Sequence, residues 1–93
     1  MKIIQSRSFE SRVKKLDKAQ KLALDKEIKR IASHPHIGEQ KRGDLKEVFV
    51  HKFKIEKVQY LLAYRINNKT LELIMIGPHQ NYYRDLKKYL KNR

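Results

Sequence analysis

The chain has no cysteine and no tryptophan, and its 93 residues include only three glycines and two prolines. Without cysteine there is neither a disulfide nor a thiolate metal ligand, and the redox compartment stays open. No apolar run is long enough to span a bilayer, and Met1-Lys2-Ile3-Ile4 lacks the charged-then-apolar order of a secretory signal, so a cytoplasmic location is the default expectation. Glycine-rich phosphate loops are missing, no serine sits with an obvious base, and no carboxylate cluster is suited to magnesium. Acidic residues are scarce as well: Asp and Glu number 10 against 23 Lys and Arg, a formal charge of +13.

A compact domain cannot spread such an excess without a strongly positive face. Its natural partners are a polyanion such as RNA, DNA or the ribosome, an anionic membrane surface, or an acidic protein. The basic segments carry apolar stripes committed to a core, which argues against a membrane role. At 40% apolar and 35% charged residues the composition is globular, and the length suits one domain, residues 1–93, with one modest core.

No internal repeat or linker interrupts the chain. Lys2 to Gln5 reads as a short strand built on Ile3-Ile4. From Ser8 the spacing of Phe9, Val13 and Leu16 is helical, and Asp17 with Gln20 forms a capping-box pair opening a second helix striped by Leu24, Ile28 and Ile31. That helix should stop near Ser33-His34-Pro35, because proline disfavours helical geometry in its predecessor. Residues 36–44 read as a loop. Three strands follow: Val48–Ile55, Val58–Ile66 and, after the turn Asn67-Asn68-Lys69, Leu71–Ile76. Arg84–Leu90 suits a short closing helix. The order β-α-α-β-β-β-α predicts an α+β fold with a helical hairpin packed on one face of a twisted antiparallel sheet of about four strands.

On the first long strand, alternation puts Phe49, His51, Phe53 and Ile55 on one face and Lys52 and Lys54 on the other, the lysines about 7 Å apart. Arg65 has the parity to join them, unless it pairs with Glu47 or Glu72. The breaker Gly77-Pro78 then delivers His79, Tyr82, Tyr83 and Arg84 to a strand exit. These residues suit a single-stranded nucleic acid, cations holding phosphates and rings stacking on bases. The lysines read equally as a solvated face, Tyr60 and Tyr64 as core, His51 as a packing histidine, and His34 and His36 as structural. A nuclease built this way needs no metal and no other cofactor, because the RNA 2′-OH can itself attack the adjacent phosphate, given a base, cations and an acid.

The helical hairpin, Lys41-Arg42-Gly43-Asp44-Leu45, the strand Gln59-Tyr60-Leu61-Leu62-Ala63-Tyr64-Arg65-Ile66, and Ile76-Gly77-Pro78-His79 leading into Tyr82-Tyr83-Arg84 together resemble the RelE/ParE superfamily of bacterial toxin–antitoxin toxins. The resemblance covers essentially the whole chain and rests on the order and spacing of loose motifs. It implies two helices against a twisted antiparallel sheet and a neutralising antitoxin as partner. It also implies one of two activities: ribosome-dependent endonucleolytic cleavage of mRNA, the RelE-like reading favoured here, or poisoning of DNA gyrase, the ParE-like alternative. On the first, Lys52 and Lys54 look similar to the family's strand lysines, His79 to its post-glycine residue and Tyr83 to its terminal aromatic, with Tyr82 as rival. Arg65 would be a phosphate-binding member of the catalytic set, and Tyr82, Arg84 and Lys87 would contact RNA. One departure stands out. Leu61 occupies a strand position where RelE-like sequences commonly carry arginine, and Arg65 is the candidate replacement.

Overall fold

The computed structural model describes residues 2–45 and 48–92, apart from the Asp44 side chain. Glu47, one of the two partners expected for Arg65, lies outside the described residues. The elements are β1 (Lys2–Gln5), α1 (Arg7–Val13), α2 (Lys18–Ser33), β2 (Glu39–Gln40), a 3-10 turn at Gly43–Leu45, β3 (Phe49–Ile55), β4 (Val58–Asn67), β5 (Thr70–Pro78) and α3 (Tyr82–Lys91). The sheet has five strands in the order β1-β5-β4-β3-β2. All neighbours are antiparallel except β1, which runs parallel to β5 because the helical hairpin carries the chain back across the sheet before the next long strand.

Local chemistry sets these boundaries. The Ser6 hydroxyl accepts from the Phe9 amide and donates to the Ile74 carbonyl, capping α1 and tying it to β5. Asp17 and Gln20 form the reciprocal capping box, with bonds of 2.8 and 2.9 Å. After Ser33 the backbone leaves helical geometry at His34 (φ −136°, ψ 76°), directly before Pro35. Two-residue loops join β3 to β4 and β4 to β5, and each opens on a left-handed residue, Glu56 or Asn68.

β2 was not expected, since residues 36–44 read as a loop. Glu39 and Gln40 add a short edge opposite Val50 and Phe49. Gly38 makes this approach possible. Its amide donates to the Tyr64 hydroxyl at 3.0 Å, and a Cβ there would lie 3.1 Å from the Val50 carbonyl carbon.

The sheet is buried on both sides. Phe9, Leu24 and Ile31 of the hairpin pack on Phe49, Leu62, Tyr64, Leu71, Leu73 and Ile76. On the face opposite the hairpin, which the sequence reading leaves unassigned, α3 lays Tyr82, Leu86 and Leu90 over Val50, Leu61, Ala63, Ile74 and Met75. α3 starts at Tyr82, two residues before the expected Arg84, and that extra length brings the tyrosine into the second core. His51 is a packing histidine, 7% exposed, with Nε2 2.7 Å from Glu27 Oε1.

Burial pushes the phenols of Tyr82 and Tyr64 above the ordinary tyrosine value. A raised folded-state value means the stabilisation is complete below the unfolded pKa of about 10 and is lost as pH rises beyond it. Thermal melts should therefore show stability falling above about pH 10, and the double variant Tyr64→Phe/Tyr82→Phe should show a shallower fall. Equal slopes for the two proteins would refute the assignment.

Candidate nucleic-acid interface

The register fixes which strand residues share a row on the α3 face. Lys52 lies opposite Leu61, and Leu61 opposite Gly77. One row further out, Lys54 lies opposite Gln59, and the His79 amide donates to the Gln59 carbonyl at 3.1 Å, carrying the ladder one residue past β5. With strands about 4.8 Å apart, the Cα atoms of Lys54 and His79 are roughly 10 Å apart across Gln59.

His79 reaches this face because of a β-bulge. Ala63 pairs with Met75 and Tyr64 with Leu73, so Ile74 is an extra residue in β5. Plain alternation from Leu71 would turn His79 toward the helical hairpin. The bulge places Ile74 and Met75 together against α3 and reverses the parity of everything after them, so Gly77 and His79 share the face of Lys52 and Lys54.

α3 completes the arrangement. The Tyr82 amide donates to the His79 carbonyl at 3.2 Å, joining the helix start to the strand exit. Tyr83 packs edge-on to Tyr82, ring centroids 5.8 Å apart, and the Lys41 ammonium lies 5.3 Å from the Tyr83 ring centroid. The Tyr83 hydroxyl is buried and has no hydrogen-bond partner among the described residues. The ring is thus half enclosed and poorly placed as an open stacking platform. Lys41 Nζ donates to Glu39 Oε1, and that bond holds the Lys41 pKa above the ordinary lysine value, so Lys41 is a fixed cation. The same bond lowers the Glu39 pKa, and the nearby charge of Lys52 lowers it further.

Lys52, Lys54 and His79 therefore share one end of the α3 face and are exposed, whereas Tyr83 is placed through Tyr82 and Lys41, whose amide donates to the Val48 carbonyl further along the sheet. Arg65 does not join them. It lies four residues along β4 from Leu61, about 13 Å away, beyond the apolar row of Val50, Ala63 and Met75. Its guanidinium faces Glu72, its register partner, at 3.7 Å. Tyr82, expected as a contact residue, is closed off in the second core instead: it is 1% exposed and its hydroxyl donates to the Met75 carbonyl at 2.6 Å. Arg84 extends into solvent with its side chain 73% exposed, 3.5 Å from Asp85, and Lys87 is exposed one turn later.

Two cations escaped the sequence reading. Lys41 was visible only as the first residue of the motif Lys41-Arg42-Gly43-Asp44-Leu45, with no role assigned to it. Arg12 carried no signal, because its position depends on tertiary contacts. From α1 it donates to the Ile76 carbonyl at 3.5 Å and to Asp85 of α3 at 3.4 Å, bridging the two sheet faces around the β5 edge that β1 leaves uncovered. Gly77 leaves the space the guanidinium occupies, since a Cβ there would lie 2.7 Å from its Nη1.

The sequence profile of the ParE-like toxins of type II bacterial toxin–antitoxin systems matches residues 3–87. Among solved structures, the isolated E. coli RelE toxin in its P21 crystal form is similar over 95% of this chain and 97% of that one, with a TM-score of 0.65 at 17% identity. At that identity the likeness is one of fold. No curated protein matches.

Proposed function

The chain belongs to the ParE-like toxins of type II bacterial toxin–antitoxin systems, and from that premise we propose that it arrests translation by cutting mRNA on the ribosome without a metal. A toxin of this kind has an antitoxin as its partner. The observation that carries the nuclease reading is the row Lys54–Gln59–His79, with Lys52 one row in, exposed at the end of the sheet.

In this reading the RNA 2′-OH attacks the adjacent phosphorus. Lys52 or Lys54 takes its proton or holds the phosphate, and His79 protonates the departing 5′-oxygen, leaving a 2′,3′-cyclic phosphate and a free 5′-OH. Lys41, held as a cation, adds positive charge beside Tyr83, the aromatic of the site in this reading. Arg84 and Lys87 contact phosphates further along the strand, and the charge of +13 steers the protein to the ribosome, a cytoplasmic target. Arg65, held by Glu72, has no part in the chemistry.

Purified protein added to a cell-free translation system, followed by primer extension, should give discrete cuts in translated message. Arrest with intact message would sink the proposal. The second reading, a gyrase poison, is favoured by one observation: the strand position at Leu61 is apolar and fully buried, so no arginine clamp faces the lysines. Trapped double-strand breaks in a gyrase supercoiling assay would select it.

A further inference from the structure

Beside the strand exit, on the hairpin side of the sheet, α1 and the end of β5 enclose a cleft of about 480 Å³. Ser8, Ser11, Arg12 and Lys15 line it from α1 and the turn that follows. The i, i+3, i+4 spacing of Ser8, Ser11 and Arg12 makes one helical stripe of two hydroxyls and a guanidinium, and Lys15, in the turn after α1, adds an ammonium at the cleft. Tyr60 and Pro78 form the opposite wall, and among the described residues no carboxylate lines the cleft. Its volume lies within the range of small-ligand sites, roughly 300–1,000 Å³.

Arg12 is held in place here. Its bonds to Ile76 and Asp85 engage two of its five donors. Tyr60 is anchored too, its hydroxyl accepting from Gln20 Nε2 at 3.2 Å. Pro78, in the cleft wall, directly precedes His79. A larger open groove at the C-terminal end of α2 contains Lys29, Arg30, His34 and His36. It is the poorer anion site, because the carbonyl end of a helix carries partial negative charge.

We propose that the α1–β5 cleft holds the phosphodiester and ribose of a nucleotide flanking the one cut at His79, so that the RNA rounds the uncovered β5 edge past Arg12. The stripe supplies donors for phosphate oxygens, and the wall of Tyr60 and Pro78 receives the sugar or base. This assignment rests on the ribonuclease reading.

The test uses the full chain and an all-2′-O-methyl RNA pentamer, which cannot be cut through its 2′-oxygen, with affinity followed by fluorescence anisotropy across a salt series. The triple variant Ser8→Ala/Ser11→Ala/Lys15→Gln is compared with Lys26→Gln, which removes one charge from the exposed face of α2. Circular dichroism melts establish that all the proteins are folded. The triple variant should bind about tenfold more weakly than Lys26→Gln, and its salt slope should fall by about 0.7, the value for one single-strand phosphate. Equal affinities for the two, with binding lost in Lys52→Ala/Lys54→Ala, would overturn the cleft and leave the ribonuclease reading standing. No binding of the pentamer by the wild type would overturn the cleft, while the ribonuclease reading, in which the cut is made on the ribosome, stands or falls by primer extension. A poly-glutamate decamer weakened by the triple variant as much as the RNA would overturn the nucleotide assignment in favour of an acidic chain.

Discussion

On the ribonuclease proposal, His79→Ala should lower ribosome-dependent mRNA cleavage by about 10²–10⁴-fold, the contribution typical of a positioned acid or base, and should leave the fold in place. The structural half of this expectation follows from how the residue is held. His79 is bound into the protein through its backbone, the amide donating to Gln59 and the carbonyl accepting from Tyr82, while the side chain is exposed. Alanine keeps both bonds, so the denaturation midpoint should move by no more than an ordinary surface substitution, within about 0.5 kcal/mol. The functional half depends on the bulge at Ile74, which turns His79 onto the lysine face. Single-turnover cleavage on programmed ribosomes, read by primer extension, measures the effect. A variant that still cuts within a few-fold of wild type would remove His79 from the chemistry and leave it as an exposed loop residue. Loss of growth arrest together with loss of folding would disqualify the experiment as a test of catalysis, which is why the melt accompanies it.

The parts of this fold that local rules govern were readable in the chain. The Asp17–Gln20 box, the stop at Pro35 and the alternation along β3 are decided by neighbours a few residues apart, and each stands as expected. The parts decided by long-range contact were not. Nothing in Glu39-Gln40 announces a strand; its pairing with β3 depends on Gly38 passing close under Tyr64 and Val50. Arg65 has the right parity for the lysine face, but parity is silent about position along the strand, and the register sets it against Glu72. The bulge is the clearest case. An apolar run such as Leu73-Ile74-Met75-Ile76 hides an extra residue, because every side chain in it is content on either buried face. A sheet covered on both sides removes the polar–apolar contrast that would have marked the reversal. The candidate site was therefore partly legible: alternation gave the shared face of Lys52 and Lys54, but the bulge that turns His79 onto it could not be derived from the sequence.

Tyr82→Ala should be the most damaging single substitution in the second core. The ring is 1% exposed beside Gly77 and Tyr83, and its hydroxyl donates to the Met75 carbonyl inside the bulge. Removing a buried aromatic costs about 3–5 kcal/mol, a large share of the roughly 5–15 kcal/mol that holds an ordinary domain together. The loss falls on the first turn of α3, the turn that carries Tyr83 and Arg84 and meets His79 through its backbone. Urea denaturation should show the midpoint falling sharply. Tyr82→Phe separates packing from hydrogen bonding: it keeps the ring and forfeits the hydroxyl's bonds to the Met75 carbonyl and the Ala63 backbone, at a cost of about 1–3 kcal/mol. Cleavage by Tyr82→Phe should stay near wild type, because a hydroxyl committed to a backbone carbonyl does not meet RNA. If Tyr82→Phe instead folds normally and cuts poorly, Tyr82 acts on the RNA after all and Tyr83 loses its claim as the aromatic of the site. If Tyr82→Ala costs less than about 1 kcal/mol, far below the range for a buried ring, α3 is not docked on the sheet as described, and the face shared by the lysines and His79 is open along its length.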